Sequence, residues 1–220
     1  MDTREPMTST LQEPRVRRVL DGMHAESARV DPPLLAKAKG KSQEERSALL
    51  GSAFIPVDPQ AGRLLYTLAR GCAPGAFIEF GTSFGISTIY LAAAVRDRGA
   101  GRVVTTELHT GKANRAREYL REAGLLELVD LRVGDALETL EDVTPGVSLV
   151  FLDGWKNLYL PCLKLLEPKL QPGALVVADD IDLFPDALRP YLDYVRDESA
   201  GYVSVKLPVG DAMELSVRAP

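Results

Sequence analysis

Acidic residues follow apolar runs in this chain at regular intervals. Glu79 sits in AFIEF and Glu107 closes RVVTTE. Asp135 comes just past VDLRVG, Asp153 closes VSLVFLD, and Asp179 and Asp180 follow GALVVA. Carboxylates accept hydrogen bonds from hydroxyls and amines and ligate hard cations, so acids at one end of a sheet would line a polar crevice. One acid after a strand reads as a helix cap or turn former, whereas acids at the same end of five consecutive strands read as one site. Asp179 and Asp180 carry a cost, since two charges ~4 Å apart repel by ~4 kcal/mol at an effective dielectric of ~20. Something must offset it.

The stretch EFGTSFGIST, residues 79–88, is a glycine-rich turn of the form E-x-G-x-x-x-G. It lacks the G-x-G-x-x-G of dinucleotide-binding folds, which argues against an NAD-binding domain. Gly81 permits a tight turn, Gly85 lets backbone approach a ligand, and Ser87 and Thr88 stand where a helix would be capped. An acid ending the second strand, Glu107, suits the two hydroxyls of a ribose. Asp135 is placed to accept from an exocyclic amine such as that of adenine. These residues describe a nucleoside site with no phosphate cradle, better suited to a positively charged nucleoside than to a diphosphate.

The elements that must position these groups alternate. Strand-like runs at 76–80, 102–107, 129–134, 147–153 and 173–179 are separated by helical patterns near 86–97, 112–123, 136–142, 157–168 and 185–197. Such a series predicts an α/β fold with a parallel sheet and helices on both faces. YVSVKLPV and AMELSVRA are separated only by Gly210-Asp211, which predicts a two-residue hairpin and an antiparallel C-terminal edge to a seven-stranded sheet. Before the sheet, residues 1–11 read as disordered and a helix starts at Pro14, with DPP at 31–33 expected to end it. Ser42 and Glu45 form a capping-box pattern for a second helix, and IPVDPQAG leads into a third. The expected organisation is one domain over 12–220, with a helical cover at 12–56 and a core at 57–220.

Composition narrows the partners. The net charge is −5 and the pI about 5.2, and the small cluster Arg15, Arg17, Arg18 reads as a solvated helix face, so neither nucleic acid nor membrane is expected. Cys72 and Cys162 lack metal-type spacing and read as free thiols of a reducing compartment. With no secretory pattern at the N-terminus and no membrane-length apolar run, the expected location is cytoplasmic.

Residues 150–181, VFLDGWKNLYLPCLKLLEPKLQPGALVVADDI, carry a resemblance. An Asp ends the fourth strand, Trp-Lys follows, a Tyr comes three residues later, and an acidic pair ends the fifth strand. With the glycine turn and Glu107 in collinear order from about Val57 to Ala219, the chain resembles the metal-dependent class I S-adenosylmethionine O-methyltransferases that include the catechol and caffeoyl-CoA enzymes. The resemblance implies a Rossmann-like methyltransferase fold and S-adenosylmethionine as cofactor. It implies that Glu79, Gly81, Ser83 and Ser87 hold the methionine end and that Val57 lies on the N-terminal approach. Glu107 would take the ribose, Asp135 and Ala136 would bracket the adenine, and Trp155 and Asp153 would border the cofactor. His109 reads as a solvent-edged neighbour.

The resemblance also supplies the offsetting charge. Asp153, Asp179 and Asp180 would hold a divalent cation, Mg²⁺ by default, provided the backbone leaves the strand at Asp180 so that neighbouring side chains converge. Lys156 would be the general base, with a pKa that must fall to be useful. The implied reaction is methyl transfer to one oxygen of a vicinal dihydroxy, phenolic small molecule, and a homodimer through the N-terminal helices is the family-level expectation. Two positions depart from the pattern. Asp180 stands where Asn is usual, which favours tighter metal binding and admits Ca²⁺ or Mn²⁺; Gly154 stands where a bulkier residue is usual, which predicts an enlarged pocket wall. A metal-dependent phosphohydrolase and a degenerate methyltransferase fold kept as a binding protein are the competing readings.

Overall fold

The computed structural model describes residues 9–41, 45, 49–50 and 53–220. Its centre is a seven-stranded sheet: β1 (Ala76–Phe80), β2 (Val103–Glu107), β3 (Val129–Val133), β4 (Val147–Leu152), β5 (Leu170–Ala178), β6 (Tyr202–Leu207) and β7 (Met213–Arg218). The order is β3-β2-β1-β4-β5-β7-β6. Strands β1 to β5 pair in parallel, and β7 runs antiparallel to both β5 and β6, so six strands share one direction. The chain steps outward from β1 to β3 and returns at β4 on the other side of β1. That reversal opens a crevice beyond the strand ends, where ligands of such sheets bind.

Both faces are covered, by α1 (Pro14–Ala38), α2 (Pro59–Gly71), α3 (Ile86–Arg98) and α4 (Thr110–Ala123) on one side and by α5 (Ala136–Thr139), α6 (Tyr159–Leu166) and α7 (Pro185–Arg196) on the other. The central strands are therefore mostly apolar, and every residue of VSLVFL in β4 is buried. Alternation along β1 sends Phe77 and Glu79 to the α1–α4 side and Ile78 and Phe80 to the other.

Several boundaries differ from expectation. Helix α1 does not stop at Asp31-Pro32-Pro33 but continues to Ala38. An interior proline costs ~3 kcal/mol, and here a tertiary anchor offsets it. The buried Asp31 carboxylate accepts from the N–H groups of Phe54 and Ile55, each at 2.7 Å, and from Ser27 Oγ at 2.7 Å. The Ser42–Glu45 capping box falls partly outside the described residues, as do residues 1–8 of the segment expected to be disordered. Ser9–Gln12 forms a capped 3-10 turn, with Thr10 buried and bonded to Asp97. The expected helix at 157–168 is divided into a 3-10 turn at Lys156–Leu158, α6, and a second 3-10 turn at Glu167–Lys169.

The C-terminal hairpin is joined by five residues, 208–212, not by Gly210-Asp211 alone. The reason lies in β5's exit. Ile181 N–H donates to the Ala212 carbonyl at 3.0 Å and Asp182 N–H to that of Asp211 at 3.2 Å, so the loop pairs with the segment that leaves the sheet.

Candidate active site

Gly81 begins the crevice. Its φ is +104°, and a Cβ there would lie 2.5 Å from the Asp153 carbonyl oxygen, so only glycine lets the turn after β1 pass the end of β4. The turn leads to Ser83, whose N–H donates to Glu107 Oε2 at 2.8 Å, while His109 N–H donates to Oε1 at 2.8 Å. Each Glu107 oxygen is thus oriented by one backbone donor and keeps lone pairs for a ligand. Ser83 Oγ donates to the Phe54 carbonyl at 2.8 Å, tying the turn to the segment that Asp31 anchors. Asp135 caps α5, accepting from Leu137 N–H at 2.8 Å, so its structural role is filled whatever else it binds.

At the other end of the crevice stand Asp153, Lys156 and Asp180. Asp180 adopts φ +59°, a left-handed conformation in which the backbone leaves the strand, as the convergence argument required. Lys156 Nζ lies 2.9 Å from Asp180 Oδ2 and 3.4 Å from Asp153 Oδ1, and it donates to Tyr159 Oη at 2.6 Å. Tyr159, fully buried against Phe80 and Tyr191, donates a hydrogen bond from Oη to the Asp179 carbonyl at 3.1 Å. The spacing D-x-x-K-x-x-Y thus closes into one network around the ammonium.

Burial disfavours the Lys156 ammonium, but Tyr159, Asp153 and Asp180 outweigh it and hold its proton well above the ordinary lysine range. The fall expected of the base was tied to a cation beside it; among the protein's own groups the acids retain the proton. Burial likewise pushes Asp153 well up, and burial together with the adjacent Asp180 pushes Asp179 up to about 7.

These groups border a cavity of about 450 Å³. Gly81, Ser83, Glu107, Asp135, Ala136, Asp153, Trp155, Lys156 and Asp180 all line it. Four expected residues do not. Glu79 is fully buried on the far face of β1, where Thr88 Oγ1 (2.5 Å) and Thr105 Oγ1 (2.6 Å) donate to its Oε2. Ser87 is buried beside it in α3. Val57 and Asp179 border a second cavity of about 500 Å³, with His24, Asp58 and Asp211, and Asp180 borders both. Strand parity separates Glu79 from the crevice, and Asp179 turns its Oδ1 to its neighbour's N–H at 2.8 Å. The enlarged wall expected at Gly154 is filled, since a Cβ there would come within 2.4 Å of the Phe80 ring.

Sequence reasoning missed part of the lining: Leu35 and Ile55 from the N-terminal cover, Phe184 beyond β5, and Lys112 from α4. Lys112 had a legible signal. A cation in the first turn of a helix opposes the macrodipole, so it needs another reason to be there.

As a cation site, the β4–β5 end fits in donor chemistry. It offers two carboxylates at the cavity wall, Asp153 and Asp180, which already share one positive charge, while the adjacent Asp179 borders the second cavity. No ready-made cage of three acidic, histidine or cysteine side chains is gathered among the described residues. The ammonium of Lys156 stands between the acids instead.

The fold and the crevice define a methyltransferase domain, and residues 78–181 match the family model of that description. Over 131 residues the chain is 37% identical to the catechol O-methyltransferase of Mycobacterium tuberculosis, covering 58% of this chain and 57% of that one. Over 135 residues it is 32% identical to the catechol O-methyltransferase of Niastella koreensis, covering 60% of each. The chain therefore spans about three fifths of the length of these curated relatives. The structure of the O-methyltransferase TomG from Streptomyces achromogenes, in complex with S-adenosylmethionine, superposes with a TM-score of 0.64 at 26% identity, covering 95% of this chain and 100% of that one. Over about three fifths of its length the chain is similar to class I S-adenosylmethionine-dependent O-methyltransferases.

Proposed function

We propose that the chain transfers a methyl group from S-adenosylmethionine to one oxygen of a small phenolic acceptor bearing adjacent hydroxyls, with Lys156 as the proton acceptor. The observation that carries this reading is the Lys156 ammonium between Asp153 and Asp180 at the cavity wall, opposite the Glu107–Ser83 end. Glu107 suits the ribose, Asp135 and Ala136 the adenine, and Gly81 gives the cofactor close approach to backbone. Asp153, Asp179 and Asp180 would hold a divalent cation, Mg²⁺ first and Ca²⁺ or Mn²⁺ as alternatives. When bound, the cofactor supplies an electrophilic methyl on a sulfonium, and the cation supplies charge that acidifies an adjacent hydroxyl.

The protein's part is positioning and proton transfer. Asp153 and Asp180 hold the Lys156 proton, and charge that they direct to a cation is charge withdrawn from Lys156. With that charge withdrawn the ammonium would release one proton to solvent, and the neutral Nζ would then take the acceptor's hydroxyl proton, while Tyr159 fixes the amine's direction. Holding the reactants in attack geometry contributes most of the acceleration. The rim is apolar, with Leu35, Ile55, Leu108 and Leu183 all exposed, which favours an aromatic acceptor. A cytoplasmic location is consistent with the free thiols of Cys72 and Cys162, and no helix among the described residues is long and apolar enough to cross a membrane. A homodimer through the N-terminal helices is testable by light scattering.

The test combines calorimetry with S-adenosylhomocysteine and a methylation screen of ortho-dihydroxy aromatics with Mg²⁺, repeated in EDTA. Cofactor binding with EDTA-sensitive turnover is expected. Binding without turnover on any acceptor would favour a binding protein built on the same fold, and no binding would remove the reading altogether.

A further inference from the structure

Lys112 is a charged group whose burial the proposed chemistry leaves unexplained. It lies in the first turn of α4, where the helix dipole disfavours a cation, and only 7% of it is exposed. Burial lowers its pKa despite the nearby charges of Glu107, Asp31 and Asp153. An ammonium has three donors to satisfy. Among the described residues it has one hydrogen bond, to Ser83 Oγ at a long 3.4 Å, and it faces the Phe84 ring with 5.6 Å to the centroid.

The acids around it are oriented by other donors, and among the described residues none of them pairs with its ammonium. Both Asp31 oxygens accept from the Phe54 and Ile55 N–H groups and from Ser27. Both Glu107 oxygens accept from the Ser83 and His109 N–H groups, and Asp153 is paired with Lys156. What remains is an ammonium at a cavity wall, beside the glycine turn, with donors to spare. Such a group calls for an anion from outside the protein.

S-adenosylmethionine offers a single anionic group, the α-carboxylate of its amino-acid end; its sulfonium and α-ammonium are cations and its adenosine is neutral. We infer that Lys112 pairs with this carboxylate, reaching it alongside Ser83, and so fixes the end of the cofactor that the acids of the crevice would otherwise repel. This inference rests on the cofactor reading given above. Lys112 is then a cofactor-positioning residue with no proton to move.

Calorimetry on the intact protein separates the possibilities, using S-adenosylhomocysteine and its decarboxylated analogue, which keeps the amine and loses only the carboxylate. Lys112→Met should weaken S-adenosylhomocysteine by ~30-fold or more, the scale of a desolvated charge-assisted pair. It should change binding of the decarboxylated analogue by less than about threefold. Because the substitution removes a buried charge, the ligand-free variant should melt no lower than the parent; if it fails to fold, Lys112→Gln is read in the same way. Equal losses for the two ligands, or no loss for S-adenosylhomocysteine, overturn the assignment, the latter also being the result if Lys112 serves a carboxylate on the acceptor. A parent that binds neither ligand overturns the cofactor reading, and this inference with it.

Discussion

Lys156 gives its ammonium to Tyr159, Asp153 and Asp180, whereas Lys112, across the same cavity, has one long hydrogen bond to a serine. Both side chains are largely withdrawn from water, and each pays desolvation. At the β4–β5 end the protein's own acids outweigh that cost and push the lysine up. At the β2–α4 end nearby acids are present, but backbone N–H groups orient them and none pairs with the ammonium among the described residues, and the lysine is pushed down. Count of neighbouring charges does not distinguish the two; direct contact does. A lysine answered from within is equipped to handle a proton, and one left short is equipped to hold a ligand.

The largest effect should come from breaking the answered end. Lys156→Ala is expected to lower kcat by ~10²–10⁴-fold, the range for losing a positioned general base, while S-adenosylhomocysteine affinity stays within about threefold of the parent. A comparable loss of affinity would make Lys156 a cofactor-holding group like Lys112, and the contrast would vanish. Unchanged turnover at saturating acceptor would remove it from the mechanism.

A smaller effect tests the claim that the acids near Lys112 are oriented by other donors. Asp31→Ala deletes three hydrogen bonds to a buried carboxylate and leaves the Phe54 and Ile55 N–H groups unpaired, which should cost ~2–4 kcal/mol. Urea unfolding should show the midpoint falling with the slope unchanged. A loss under about 0.5 kcal/mol would mean that other groups hold residues 53–55, leaving Asp31 free to serve as the counter-charge of Lys112.

The same acid marks where sequence reading ran out. Strands and their sequence order were legible because burial on both faces makes each one a continuous apolar run, and D-x-x-K-x-x-Y was legible through the family resemblance of residues 150–181. The passage of α1 through Pro32 and Pro33 was not, since its support comes from Phe54 and Ile55, more than twenty residues away. Lys112 was passed over because a lysine near a helix end ordinarily faces water. Glu79 was placed at the methionine end from its position in the motif. Strand parity turns it toward Thr88 and Thr105 behind the glycine turn, off the lining of the cavity.

Glu79 supplies the smallest and most discriminating measurement. It is fully buried, with Oε2 accepting two threonine hydroxyls and Oε1 meeting no partner at hydrogen-bond distance among the described residues. Burial raises its pKa above the usual 4.5 against the hydroxyl bonds of Thr105, Thr88 and Ser87, and the charge of Glu107 adds to the rise. The folded state therefore keeps a proton that the unfolded chain releases. Between the ordinary glutamate pKa and the raised one, stability must fall as pH rises; below that window the group is neutral in both states and costs nothing. Glu79→Gln removes the titration, so the variant should match the parent near pH ~4 and grow more stable than it as pH rises through the window. Thermal melts across that range check this, and parallel profiles would show that Glu79 does not titrate abnormally. Repeating the series with saturating S-adenosylhomocysteine sharpens the contrast with Lys112. If the ligand leaves the difference between variant and parent intact, the unmet demand of Glu79 lies beyond the ligand's reach, inside the sheet. If the ligand abolishes that difference, the carboxylate meets the cofactor after all, and the motif located it better than strand parity did.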